Sequence, residues 1–220
     1  LKDYEAASKA AMAVVEQPGA ARQLQFSAWT VIAHAQFDLE DYQHAESAYQ
    51  QVLSRTDPAD AGRAKLLDKL AASIYKQGEQ SRTAGDLASA AQHFLRISDA
   101  VPGSAINVTA QYDAAAAYIA LKQWPQAIGI LETWRRSNPG HELQPDATQK
   151  LATLYRDNKQ PLQAAAEFTR IARSEASPEL KREAAWTAAS LYQETGRDRE
   201  SIGAYKYFVE QFPQPVEEAM

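Results

Sequence analysis

A spacing of 37 residues recurs along this chain of 220 residues. Five times, a small residue is followed four positions later by an aromatic or large apolar residue, and the small members stand 45, 37, 37 and 37 residues apart. The pairs are Ala45 and Tyr49, Ala90 and Phe94, Ala127 and Leu131, Ala164 and Phe168, and Ser201 and Tyr205. A period of this length is typical of a stack of similar supersecondary units, and it constrains the fold more than any other feature of the chain.

Each unit contains another small residue twelve positions before the first. These residues are Ala33, Gly78, Ala115, Ala152 and Ala189. Small residues let two antiparallel helices approach closely, and the bulky residue one turn later fills the space beside them. A helical hairpin of this kind leaves an apolar face that only the next hairpin can bury. The spacing therefore predicts an all-α fold of stacked antiparallel helix hairpins.

Three of the units end in proline, at Pro102, Pro139 and Pro213. The order small, small, large, proline resembles the tetratricopeptide repeat over about residues 26–213, although Asp57 and Ala176 stand where two prolines of that pattern would be. The resemblance implies a single right-handed superhelical solenoid over 1–220, with five full repeats after a leading half repeat. The half repeat is predicted at 1–18 and the full repeats at 22–58, 58–102, 104–139, 142–177 and 178–213.

The first separation, from Ala45 to Ala90, is 45 residues, which is eight more than the repeat length of 37. These eight extra residues belong to the second repeat. Asp57 can cap a helix, and Pro58 suits the first turn of one. Leu66 and Leu70 continue at helical spacing. We therefore predict that the first helix of this repeat begins early, covers about 58–84 and is longer than its neighbours by roughly 12 Å. An insertion into the preceding loop is the alternative.

Composition excludes several classes of protein. The formal net charge is −5, and the basic residues are scattered singly among acids, which disfavours nucleic acid as a ligand. No apolar run approaches the roughly 20 residues of a transmembrane helix. Without cysteine there is no disulfide or thiolate metal site, and the residues themselves are equally compatible with cytoplasm and periplasm. Because Leu1 is not an initiator and the chain opens in a helical pattern, we expect a fragment of a longer protein.

The sequence contains little that could support catalysis. There are four histidines, at positions 34, 44, 93 and 141, and no two of them have the i, i+4 spacing of a helical metal site. A glycine-rich phosphate loop and a G-x-S-x-G elbow are also missing from the sequence. We therefore predict a protein that is not an enzyme and has no catalytic, cofactor-binding or metal-binding residues.

The first helices of tetratricopeptide repeats line the concave side of their superhelix. The resemblance therefore implies that a protein partner binds to first-helix residues that the repeat's own packing does not use. These residues are Thr30, His34, Phe37, Tyr75, Glu79, Arg82, Tyr112, Ile119, Gln149, Thr153, Arg156, Trp186, Ser190 and Gln193. The aromatic members would provide large, rigid contact areas, and Arg82 and Arg156 could bind carboxylates. Packing of individual aromatics against the neighbouring repeat is the alternative.

The last unit ends in a run of aromatic and apolar residues from Tyr205 to Phe212, followed by Pro213. This ending resembles the repeats of Gram-negative envelope proteins of the BamD and YbgF type, which act in the periplasm as adaptors. The resemblance implies a non-enzymatic scaffold for protein–protein interaction that binds a peptide segment or an envelope protein. It also implies a periplasmic location or tethering to the outer membrane as a lipoprotein.

Two other functions are compatible with the same residues. One is a periplasmic repeat module of an exopolysaccharide secretion system, since similar arrays occur there and aromatic side chains also suit glycans. The other is an oligomerisation spacer, in which the uncapped apolar ends of the array associate with each other. Binding of a protein, binding of a saccharide and concentration-dependent association distinguish the three.

Overall fold

The structure, a computed structural model, describes residues 3–213. All regular secondary structure in that range is helical, and consecutive helices pair into hairpins, so the predicted all-α fold is confirmed. The chain divides into two compact units, Leu1–Leu121 and Lys122–Met220. The number and bounds of the repeats and the single continuous solenoid stay predictions. Positions 1–2 and 214–220 of that solenoid lie outside the described residues.

The first unit consists of a leading helix followed by two hairpins and the first helix of the next repeat. Its helices are α1 (Tyr4–Val15), α2 (Arg22–Asp38), α3 (Tyr42–Arg55), α4 (Arg63–Thr83), α5 (Leu87–Leu95), α6 (Ile97–Ala100) and α7 (Ile106–Ala120). Helix α2 packs against α1 and α3, and α4 packs against α3 and α5. The short α6 follows α5 after Arg96, and α7 packs mainly against α5.

The second unit is built in the same way. Its helices are α8 (Trp124–Ser137), α9 (Gln144–Asp157), α10 (Pro161–Ala172), α11 (Pro178–Glu194) and α12 (Asp198–Gln211). Each helix packs against the next one along the chain. The predicted small residues of this unit, Ala127, Ala152, Ala164 and Ala189, are fully buried, and Leu131 is buried beside them. The joints between these helices therefore lie at the positions that the repeat spacing predicts.

The contact between Gly78 on α4 and Phe94 on α5 shows why the spacing needs small residues. A Cβ atom added at Gly78 would lie 2.5 Å from Cε1 of Phe94. Phe94 is fully buried, so its ring has little room to move aside. At this joint a single methyl group would force the two helices apart.

Tight turns connect the two helices of a hairpin. At Glu40, Gly85, Lys159 and Gly196 the backbone has a positive φ, between 57° and 83°. In each case the amide of the residue that follows the turn residue donates to the carbonyl five positions earlier in the chain. After Glu40, for example, Asp41 N donates to Gln36 O at 2.9 Å. This is the left-handed ending of a helix that glycine adopts most readily. Because the turn reverses the chain within a few residues, the two helices must be antiparallel.

The longest described helix, α4, begins later than predicted. It spans 21 residues from Arg63 to Thr83, whereas the prediction placed its start at Pro58. Residues 57–62 form turns instead, because the Asp57 carboxylate accepts from Ala59 N at 2.8 Å and the Asp60 carboxylate accepts from Gly62 N at 2.6 Å. Aspartates that bond to the backbone two residues ahead compete with helix formation. The extra residues are thus shared between a loop and a longer helix.

A carboxylate–guanidinium pair joins the second helices of neighbouring hairpins in the first unit. Glu46 on α3 accepts from both terminal nitrogens of Arg96, at 2.5 and 2.7 Å. Gln77 on α4 donates to the same carboxylate at 2.6 Å. Burial alone would raise the pKa of Glu46, but the hydrogen bonds from Arg96 and Gln77 outweigh it, and the pKa is lowered. The ionised carboxylate therefore holds three helical segments together.

Replacing Gly78 by alanine tests the close approach of α4 and α5. Overpacking against Phe94 costs about 1–3 kcal/mol, which exceeds the gain in helix propensity of about 1 kcal/mol. We expect a lower free energy of unfolding in urea. Gly129→Ala is the matched control, because Gly129 lies within α8 and a Cβ atom there would meet nothing within 4 Å. That variant should be slightly more stable than the parent chain; equal effects of the two substitutions would contradict the packing argument.

The Glu46 network predicts a pH dependence of stability. Since the folded pKa of Glu46 lies below its ordinary value of 4.5, its ionised form stabilises the fold above that pH, and the contribution is lost as the pH falls through the folded pKa. Glu46→Gln should therefore lower the free energy of unfolding by about 1–3 kcal/mol at pH 7 and by progressively less as the pH falls below 4.5 and through the folded pKa. Urea unfolding at several pH values measures both. The control Glu142→Gln, at an exposed position, should show no such convergence.

Candidate partner-binding surface

The fourteen residues predicted to contact a partner all lie at the surface, and none of them belongs to the buried core. In the first unit they lie on α2, α4 and α7, and in the second unit on α9 and α11. The buried sides of the same helices are lined largely by small residues, such as Ala33, Ala114 and Ala189. The polar and aromatic residues of the prediction therefore stay at least partly accessible.

In the first unit the structure brings three of these residues together around Asp113 of α7. The Tyr75 hydroxyl donates to Asp113 Oδ2 at 2.5 Å. One terminal nitrogen of Arg82 lies 3.4 Å from Asp113 Oδ1, and the other lies 3.6 Å from Glu79 Oε1. Two first helices, α4 and α7, are thus connected by polar side chains at the surface.

The charges of this cluster are nearly balanced. Lys76 donates to the Glu79 carboxylate at 2.6 Å, so two cations, Lys76 and Arg82, accompany two carboxylates, Glu79 and Asp113. Burial, together with the hydrogen bond to Asp113, raises the pKa of Tyr75 well above its ordinary value. Tyr75 therefore remains a neutral hydrogen-bond donor at physiological pH.

Tyr75 and Arg82 also take part in packing within the unit. The ring centroids of Tyr75 and Phe94 are 5.1 Å apart, and the Arg82 guanidinium carbon lies 5.7 Å from the Phe94 centroid. The Phe94 contact lies within one hairpin, whereas the alternative expected for such aromatics was packing against the neighbouring repeat; α7, the first helix of the next repeat, accepts the hydrogen bond of Tyr75 through Asp113. Arg82 is already engaged by two carboxylates, so it is a weaker anchor for a partner's carboxylate than the sequence suggests.

The predicted residues of α2 form a separate group. The Thr30 hydroxyl donates to Phe26 O at 2.8 Å, which uses it within its own helix. His34 is exposed, and its ring lies 5.8 Å from that of Tyr49. Phe37 packs edge-on against Tyr42 at 5.2 Å, with Lys69 Nζ 5.1 Å from its centroid. The Lys69 contact links α2 to α4, so these two first helices are neighbours.

Tyr112 and Ile119, both on α7, complete the predicted residues of the first unit. Each is half-buried. Tyr112 stands directly before Asp113, the residue that organises the polar cluster. The α7 part of the surface therefore combines an aromatic ring, an aliphatic side chain and a carboxylate.

In the second unit, Trp186 of α11 is the most prominent of the predicted residues, because 52% of it is exposed. Its ring contacts Tyr205 at 5.4 Å and Phe208 at 5.3 Å, both edge-on and both on α12. The Tyr205 hydroxyl also donates to Gln193 Oε1 at 2.9 Å. Trp186 and Gln193 are thus joined through Tyr205.

The remaining predicted residues of this unit are polar. Gln149, Thr153 and Arg156 on α9 are exposed, and Ser190 on α11 is half-buried. Arg156 has only a loose ion pair, 3.7 Å from the carboxylate of its neighbour Asp157. Its guanidinium is consequently more available for a partner than that of Arg82.

Sequence reasoning missed Asp113 and Tyr205, the two residues that organise these clusters. Asp113 was detectable, because it is the only charged residue in the otherwise alanine-rich α7. Tyr205 had been assigned to packing alone. It is half-buried, and its hydroxyl reaches the surface. The ring of Tyr205 therefore packs at the joint between two helices, while its hydroxyl group lies at the surface.

Within residues 3–213 there is no group of three or more histidine, aspartate or glutamate side chains that could hold a metal ion. None of the described helices combines the length and hydrophobicity needed to cross a bilayer.

The sequence matches the model of a known protein family. The model of the family YfiO, outer membrane lipoprotein, matches residues 67–215, which is more than half of the chain. The chain belongs to the YfiO family. Its membership of the tetratricopeptide repeat superfamily, predicted from the repeat spacing, is likewise confirmed. The match covers the predicted residues from Tyr75 to Gln193, whereas Thr30, His34 and Phe37 lie before it.

Among solved structures, three similar chains span nearly the whole of this YfiO-family chain. BtubC from P. vanneervenii is 18% identical over 98% of this chain and 96% of its own, with a TM-score of 0.44. PilW, a type IV pilus biogenesis factor, is 16% identical over 98% and 96%, with a TM-score of 0.42. The C-terminal part of a TPR repeat-containing protein from Cytophaga hutchinsonii is 14% identical over 98% of this chain and 93% of that part, with a TM-score of 0.39. No curated protein is significantly similar in sequence.

A double-mutant cycle tests the link between α4 and α7. Tyr75→Phe and Asp113→Ala each remove one side of the hydrogen bond, and each should lower the free energy of unfolding by about 1 kcal/mol. Since both remove the same interaction, the double variant should cost less than the sum, by about 0.5–1.5 kcal/mol. Urea unfolding measures the free energy of unfolding of the parent chain, of the two single variants and of the double variant. Tyr118→Phe serves as the control on α7, and additive effects of Tyr75 and Asp113 would contradict the link.

Proposed function

We propose that this chain is a non-enzymatic adaptor of the bacterial envelope, which holds a segment of a protein partner against its first helices. Repeat proteins of this kind are generally scaffolds for protein–protein interaction, which supports the general role. The match to a family of outer membrane lipoproteins supports a periplasmic or outer-membrane-tethered location.

The aromatic residues at one position of the repeat support this proposal most strongly. The same repeat position holds an aromatic residue in three repeats, at Tyr75, Tyr112 and Trp186, and none of the three is buried. Tyr75 and Tyr112 are 37 residues apart, and Tyr112 and Trp186 are 74 residues apart, which is twice the repeat length. The helix joints are filled by alanine and by other large side chains, so packing does not require a tryptophan that is 52% exposed. Aromatic side chains that stay accessible at a recurring repeat position favour a binding surface, because they lose little conformational entropy when a partner covers them.

The chemistry of the surface indicates what a partner would have to offer. Apolar side chains would cover Trp186 and Tyr112, while hydrogen-bonding groups would meet Gln149, Thr153 and Gln193. Arg156, which is exposed and has a loose ion pair with Asp157, could meet a carboxylate of the partner. A protein segment of mixed apolar and polar character suits such a surface better than a purely apolar or purely charged ligand.

Site-specific photocrosslinking in cells tests the proposal. A photoreactive amino acid at position 186 or 149 should capture the same partner protein, because both positions lie on first helices. The same amino acid at Gln126 or Gln163, which are exposed on second helices, should not capture it. With the partner purified, Trp186→Ala should weaken binding by roughly 30-fold, as expected for an aromatic hot spot of about 2 kcal/mol.

The stability of each variant is measured alongside, since Trp186 also contacts Tyr205 and Phe208. Thr153→Glu, which should also weaken binding, provides a second test at an exposed position of α9. Equal capture from first and second helices, or unchanged affinity in both variants, would overturn the proposal.

A further inference from the structure

The second unit contains a cleft of about 600 Å³ that is lined by three arginines. Arg135 and Arg136 come from α8, and Arg170 comes from α10. Gln144 and Thr148, from the first turns of α9, form the wall between them. None of the fourteen first-helix residues lines this cleft, so it is separate from the surface proposed above.

The first arginine has a fixed partner. Arg135 binds Glu167 of α10 through two parallel hydrogen bonds, at 2.5 and 2.8 Å. Glu167 is buried, and the hydrogen bond to it raises the pKa of Arg135, so the guanidinium stays charged. This pair positions the cleft, because it ties α8 to α10 across α9.

The other two arginines have weak partners. Arg170 Nε lies 3.8 Å from Glu167 Oε2, and the Arg170 side chain is 64% exposed. Arg136 donates to Thr133 Oγ1 at 3.2 Å. Over residues 3–213 it has no carboxylate within ion-pair distance. Both guanidiniums therefore keep hydrogen-bond donors that nothing in the unit satisfies.

The carboxylates of the cleft do not balance its cations. Glu132 is the acidic residue of the lining, and it accepts a hydrogen bond from the Tyr155 hydroxyl. Glu167, which neutralises Arg135, is buried and is not part of the lining. Even with both carboxylates counted, the three guanidiniums of the cleft keep one positive charge without a counterpart. The remaining polar groups are engaged: the Gln144 side-chain amide donates to Arg135 O and Asn138 O, at 2.8 and 2.6 Å.

We propose that this cleft binds a carboxylate of an acidic protein segment, held by Arg136 and Arg170. The planar guanidinium matches a planar carboxylate, as the Arg135–Glu167 pair in the same cleft illustrates. One unbalanced positive charge suits a single carboxylate, whereas a phosphate at neutral pH carries more than one negative charge. The volume exceeds that of a lone anion and leaves room for the chain that carries the carboxylate.

Titration calorimetry of the full chain with an acetylated and amidated hexaglutamate peptide tests this proposal. Binding should weaken as salt is added, and Arg136→Gln and Arg170→Gln should each weaken it by roughly fivefold or more. Arg182→Gln makes the same change of charge at an exposed position of α11 outside the cleft, so it should leave the affinity unchanged. Thermal unfolding verifies that each variant is folded.

Inorganic phosphate, added as a competitor, distinguishes the two kinds of anion. Weak or absent competition at millimolar phosphate supports the carboxylate site. Displacement of the peptide by phosphate at lower concentration than by acetate would overturn it in favour of a phosphate site. An equal loss of affinity in Arg182→Gln would show that the peptide responds to the overall charge of the chain, which would refute the proposal. The absence of any binding to the peptide would also refute it.

Discussion

The rest of the structure depends on how closely neighbouring helices approach at their joints. Gly78 and Phe94 show the limit, since a Cβ atom at Gly78 would overlap the buried ring. At the equivalent joints alanine fills the same role, as at Ala33, Ala115 and Ala152, all of them buried. Because small residues occupy the joints, each helix buries one side closely against its neighbours, and large side chains such as Phe94 and Leu131 fill the space beside them.

Polar interactions then select which helices lie together. In the first unit Glu46 and Arg96 join segments 50 residues apart in sequence, and in the second unit Arg135 and Glu167 join segments 32 residues apart. Both pairs connect second helices, whereas Tyr75 and Asp113 connect first helices. Pairs of this kind contribute less to stability than the apolar joints, but the loss of one partner would leave a poorly hydrated charge. They therefore favour one arrangement of the hairpins over others.

The proposed surfaces differ in their chemistry. First helices present aromatic residues at a common repeat position, which suits a partner with apolar side chains. The arginine cleft between α8, α9 and α10 presents unbalanced positive charge, which suits a carboxylate. Under the function and the site proposed above, the two surfaces would hold two segments at once, and the linkage of the two sites would raise the overall affinity.

The sequence by itself determined the helical hairpins and the residues at their joints, because a repeated spacing of small and large residues is typical of stacked helical units. The fourteen first-helix residues follow from the same period and lie outside the buried core, while their role in binding stays a prediction. The start of α4 was decided by local hydrogen bonds of Asp57 and Asp60, which compete with the helix. The clusters around Asp113 and Tyr205, and the arginine cleft, were decided by tertiary structure alone. They join side chains from different helices, and no spacing along one helix specifies which side chains of its neighbours will meet them.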